Sequence, residues 1–69
     1  MRIPSEGQRF NIGEGDNLSK FEVIKSRGTT IKAKLINGKQ LKDAYIFKFL
    51  ETRYKIFKIN GKTFSAFAI

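Results

Sequence analysis

Two Asn-Gly dipeptides, Asn37-Gly38 and Asn60-Gly61, punctuate a stretch that is otherwise β-branched, aromatic and rich in lysine. Both residues of such a pair tolerate the positive φ of a type I′ turn, so Asn-Gly between alternating segments signals a β-hairpin. Ahead of the first pair, Thr29 to Ile36 sets Ile31, Ala33 and Leu35 against Lys32 and Lys34. That is the period-two pattern of a half-buried strand. Phe21–Ser26 reads as the preceding strand, ending at the turn signal Arg27-Gly28. Around the second pair, Arg53–Ile59 and Lys62–Ala68 read as the arms of a hairpin. A two-residue turn at Asn60-Gly61 pairs Ile59 with Lys62, Phe57 with Phe64, Lys55 with Ala66 and Tyr54 with Phe67. Tyr54, Ile56, Ser65 and Phe67 then share one face, and Lys55, Phe57, Ile59, Phe64 and Ala66 the other, so neither face is polar.

Gln40–Arg53 admits two readings. As a strand it puts Tyr45, Phe47 and Phe49 on one face and Ala44, Ile46 and Leu50 on the other. As a helix it puts Ile46, Phe49, Leu50, Tyr54 and Phe57 on one stripe. The aromatic and β-branched content favours the strand. A tight turn at Glu51-Thr52 would set Lys48 opposite Lys55, a repulsive pair unless an anion lies between them. Residues 1–19 hold Gly7, Gly13, Gly15, Asp16, Asn17 and Ser19 and read as a polar arm, with a short strand over Arg9–Ile12. The chain reads as free of internal repeats and low-complexity segments. The expected fold is all-β: an antiparallel barrel of about five strands over residues 20–69, with the arm packed across it. An α+β domain with a helix within residues 40–53 is the alternative.

A chain of 69 residues forms one domain, near the lower limit for folding unaided. It has no Cys and no His, which removes disulfides, thiolate metal sites, the usual general base and the commonest transition-metal ligand. Seven Phe and two Tyr supply a core, since each aromatic buries about 150–250 Å². The apolar ending Phe64-Ser65-Ala66-Phe67-Ala68-Ile69 must be covered by the barrel itself or by a neighbour, so a homo-oligomer stays open. No apolar run approaches the roughly 20 residues of a membrane span, and the first residues lack the apolar stretch of a signal peptide. A cytoplasmic location is the expectation.

Catalytic sets are missing. Ser5, Ser19, Ser26 and Ser65 have no His to activate them. Glu14 and Asp16 lack the ligand count of a calcium loop, and Gly7…Gly13-Glu14-Gly15 lacks the Gly-Lys-Ser/Thr ending of a phosphate loop. No enzyme activity, metal or cofactor is expected. Charge says more. Residues 1–22 carry three basic and four acidic side chains, whereas residues 23–69 carry eleven basic and two acidic. Such a surface is the usual footprint of a polyanion. The candidate phosphate-binding residues are Lys32, Lys34, Lys48, Arg53, Lys55, Lys58 and Lys62, because lysine and arginine neutralise phosphates and release counterions. Phe57 and Phe64 are the candidate base-stacking groups.

A plan of about five short strands with Asn-Gly turns and a basic surface is similar to small SH3-like or Sm-like barrels. Gly7-Gln8-Arg9-Phe10 followed by Phe21-Glu22-Val23-Ile24 resembles the opening of small β modules on phage-encoded DNA-binding proteins and homing endonucleases. The Cys and His residues of the nuclease members are missing, so cleavage is not carried over. The resemblance implies a phage or mobile-element origin and a non-catalytic role on DNA or RNA. Many small phage proteins instead bind a host protein or sequester an anionic signalling nucleotide as a homo-oligomer, and that alternative stays open.

Overall fold

Alternating sequences of this kind bury every second side chain, and six strands do so among the described residues. The computed structural model describes residues 4–13, 15–41 and 45–69. The strands are β1 (Arg9–Ile12), β2 (Ser19–Arg27), β3 (Thr30–Asn37), β4 (Ile46–Phe49), β5 (Thr52–Asn60) and β6 (Thr63–Ala68). All pairings are antiparallel, in the order β1-β2-β3-β6-β5-β4. The protein is an all-β, nearly closed barrel. The only helical turn among the described residues is a 3₁₀ turn at Gly15–Asn17, so the strand reading of the ambiguous segment holds through β4. Residues 42–44 of that segment lie outside the described residues.

The interior is built by Phe10 and Ile12 of β1, Phe21 and Val23 of β2, Ile31 and Ala33 of β3, Phe47 of β4, Tyr54 and Ile56 of β5, and Phe64 and Ala66 of β6. Residues 9–12 are therefore a working strand of the barrel rather than an arm laid over it. The two edges meet through side chains. Phe10 stacks on Phe47 of β4 at 5.4 Å and on Phe49 at 4.5 Å between ring centroids. Offset aromatic pairs of this kind add roughly 0.5–1.5 kcal/mol beyond their buried area. They close the barrel where no ladder does among the described residues.

Three turn expectations change. Asn37-Gly38 is no hairpin: beyond β3 the chain leaves the sheet, and the neighbour of β3 is β6, not the following strand. Gly38 does have the expected positive φ of 102°. It is needed there for closeness as well, since a Cβ would sit 2.7 Å from the Leu18 carbonyl oxygen and 2.8 Å from Ser19 Cα. Asn60-Gly61 is a hairpin, but Gly61-Lys62 are its loop residues, and Ile59 faces Phe64 rather than Lys62. A bulge at Phe57 then places Ile56 opposite Ala66, Lys55 opposite Phe67 and Tyr54 opposite Ala68. The two shifts separate the faces that looked mixed: Tyr54, Ile56, Phe64 and Ala66 go inside, and Lys55, Lys58 and Phe67 point out. The third turn is at Leu50-Glu51, not Glu51-Thr52, so Lys48 faces Arg53 and Lys55 faces Ile46. Leu50 and Glu51 take φ of 54° and 64°, the positive pair that such a turn demands and that non-glycine residues adopt at a cost.

The barrel is also internally duplicated, contrary to the residue-by-residue reading. A shift of 33 positions carries Ser19, Lys20, Phe21, Val23, Lys25, Gly28, Thr30 and Ala33 onto Thr52, Arg53, Tyr54, Ile56, Lys58, Gly61, Thr63 and Ala66. The geometry follows the same shift. The β2–β3 ladder skips at Ile24 as the β5–β6 ladder skips at Phe57. Gly28 and Gly61 have φ of 58° and 61°. The Thr30 hydroxyl donates to the Arg27 carbonyl, and the Thr63 hydroxyl to the Asn60 carbonyl, both at 2.9 Å. The Val23 amide donates to the Gln8 carbonyl and the Ile56 amide to the Tyr45 carbonyl. Between β3 and β6, the Leu35 amide reaches the Lys62 carbonyl and the Ala68 amide the Thr29 carbonyl. A pseudo-two-fold axis thus passes through the Lys32–Ser65 pair. β1 and β4 are equivalent too, Phe10 onto Phe47, at a larger shift because the β1–β2 connection is longer.

Candidate nucleic-acid interface

With the core side chains turned inward, the outer face of β2-β3-β6-β5 is set by the alternate residues, and the ladders arrange them in rows. The central row is Lys25–Lys32–Ser65–Lys58, each residue directly opposite the next. It crosses the pseudo-axis, so Lys25 and Lys58 are equivalent. Lys25, Lys32 and Lys58 are all exposed, and Lys25 and Lys32 form a like-charge pair. Such a pair is unfavourable in the free protein. Lys25 escaped the sequence reading because the bulge at Ile24, not simple alternation, turns it outward.

Two equivalent rows flank the central one and differ in chemistry. On one side stand Arg9, Glu22, Lys34 and Thr63. There Glu22 pairs with Arg9 at 3.3 Å and with Lys34 at 3.8 Å. On the other stand Ile46, Lys55, Phe67 and Thr30. Lys55 occupies the position of Glu22 and lies between Ile46 and Phe67, with no carboxylate partner among the described residues. Ile46 is 61% exposed and Phe57 is 55% exposed. The Phe57 ring packs against Phe67 at 5.6 Å with a 46° tilt. In the other half the same two positions hold a half-buried Ile24 and the ion-paired Lys34. Further along, Lys48 and Arg53 sit opposite each other and extend the cationic face.

Lys32, Lys55, Lys58, Lys48, Arg53 and Phe57 are all exposed on the outside of the barrel, on β3, β5 and β4. Lys34 is exposed there too but is engaged by Glu22. Lys62 is exposed in the β5–β6 turn, at the border of this face. Phe64 is corrected: at 2% exposure it stacks edge-on against Phe21 and Phe47 inside the barrel and has no face to offer a base. A cleft of about 320 Å³ opens at the end of the first half, lined by Asn11, Leu18, Lys20, Asn37 and Gly38. It arises where Lys20 pairs with Asn37 and skips Ile36.

No family model, curated protein or solved structure matches this chain. The surface itself is the guide to function. Among the described residues no helix is long and apolar enough to cross a membrane.

Proposed function

We propose that the outer face of β2-β3-β6-β5 binds the sugar–phosphate backbone of nucleic acid without catalysis. The observation that carries this reading is the row Lys25–Lys32–Ser65–Lys58, extended by Lys55, Arg53 and Lys48, with no described acidic side chain within it. Lysines opposite one another lose by repulsion in the free protein and gain when phosphates come between them. Compensation by Glu22 on the equivalent flank supports the choice of side, since neutral pairing is available to this fold and no described carboxylate supplies it around Lys55. A cytoplasmic protein, of the phage or mobile-element kind that the N-terminal resemblance suggests, fits this role.

The test is binding of labelled oligonucleotides across a salt series. Affinity should fall log-linearly with salt. Lys25→Glu with Lys58→Glu should reduce the slope by about 1.4 on single strands, roughly 0.7 for each phosphate that a lysine no longer neutralises. Both residues are exposed, so melting should change by less than about 0.5 kcal/mol. Salt-insensitive binding, or equal binding by the double variant, would remove the reading. The exposed Ile46 and Phe57, with the half-buried Phe67 beside Phe57, favour two competitors, docking of an acidic protein and self-association; the first predicts a partner retained from nuclease-treated lysate, the second a stable oligomer.

A further inference from the structure

We infer that the ligand is single-stranded and that one unpaired base stacks on Phe57, with Phe67 bracing the ring from behind. This rests on the backbone-binding reading and deepens it. Four observations carry it. Phe57 sits on a bulge, and bulges re-aim a side chain out of the regular alternation. The equivalent bulge in the first half carries Ile24, which is half-buried, so the bulge does not by itself demand an exposed ring. Phe57 is 55% exposed, while its 46° tilt against Phe67 holds it on one side and leaves the rest of the ring open. Lys58 follows it in the chain, and Lys55 is two residues before it on the same face, so a chain of phosphates held by the lysines passes beside the ring.

Charge complementarity selects the occupant. An aromatic ring on a convex, cationic sheet face meets bases only if they are unpaired, because the bases of a duplex already stack on each other. A duplex would meet the lysines but not the ring, whereas a single strand uses both, and a second copy of the chain would bring lysine against lysine.

The experiment uses the full chain, a labelled oligodeoxythymidine and a duplex of equal length, with three variants. The wild type should bind the single strand more tightly than the duplex. Phe57→Ala should weaken the single strand roughly 5- to 150-fold, the range of one base–aromatic stack, and leave the duplex unchanged. Phe57→Trp should keep the affinity and, being the only tryptophan in the chain, lose fluorescence when the single strand binds. Unaltered melting of Phe57→Ala excludes a folding defect, since the ring lies outside the core. If Phe57→Ala binds the single strand as the wild type does, while Lys25→Glu with Lys58→Glu loses both ligands, backbone binding stands and base stacking is overturned. If the double reversal loses neither, the backbone reading itself fails. If the wild type is an oligomer that Phe57→Ala dissolves with single-strand affinity intact, the ring belongs to a contact between copies, and the inference is overturned.

Discussion

The strands β1-β2-β3 and β4-β5-β6 make the same antiparallel meander, with the same bulge, the same Gly turn and the same threonine hydroxyl closing it. Their inner faces stay apolar throughout: Phe21 becomes Tyr54, Val23 becomes Ile56, Ile31 becomes Phe64, and Ala33 is kept as Ala66. Their outer faces diverge in kind. The first half balances Arg9 and Lys34 with Glu22. The second offers Lys55 among Ile46, Phe57 and Phe67. Close packing constrains the shared interior of a duplicated fold, and its exterior is free to diverge toward function.

The largest test of that comparison is made inside. Phe21→Ala should cost about 3–5 kcal/mol, as buried phenylalanines do, and Tyr54→Ala should fall in the same range. Chemical denaturation of the two variants measures both, and a loss in one half with tolerance in the other would break the equivalence. Gly28→Ala and Gly61→Ala come next. Each glycine has open space around a new Cβ, so only the positive φ matters, and each variant should lose about 1–2 kcal/mol. Gly38→Ala should exceed both, because its Cβ meets backbone at 2.7 Å.

The tight turns sharpen the difference between halves. The β4–β5 turn holds two non-glycine residues at positive φ, where the first half uses a longer loop. Leu50→Asn with Glu51→Gly should raise stability by about 1 kcal/mol. An unchanged melting temperature would mean that Leu50, half-buried at that turn, holds more packing than the strain it carries. The smallest expected effect is at high pH. Burial raises the Tyr54 phenol above its ordinary 10.0, so the folded state favours the neutral ring. That contribution is present below pH 10.0 and is lost as pH rises through the raised folded value. Tyr54→Phe, which copies Phe21 of the other half, should lack this alkaline loss. Identical pH profiles for the two proteins would show that the phenol is not coupled to folding.

The all-β class was legible because Thr30–Leu35 alternates strictly and because Gly28 and Gly61 stand where the β2–β3 and β5–β6 turns need positive φ. The register was not. Bulges at Ile24 and Phe57 slip the pattern by one residue, and nothing in the residues marks a bulge without its partner strand. The mis-set register hid the sorting of faces, which is why Phe64 looked as exposed as Phe57 and why Lys25 went unnoticed. Asn37-Gly38 misled because a glycine at positive φ serves a close backbone approach as well as a hairpin. The duplication was obscured by conservative replacements and by the unequal β1–β2 and β4–β5 connections, which put β1 and β4 at a different shift from the rest. The abundance of lysine was plain from composition, but its arrangement into a row across four strands depended on pairings between residues far apart in the chain.

The most direct measurement of the central claim is an amide chemical-shift titration of the isotope-labelled protein with a short single-stranded oligonucleotide at low salt. The perturbed amides should cluster at Lys25, Lys32, Lys55, Phe57, Lys58 and Ser65, and the shifts should disappear as salt is raised. Shifts confined to Asn11, Lys20 and Gly38 around the cleft, or no shifts at all, would contradict the assignment of this face as the nucleic-acid surface.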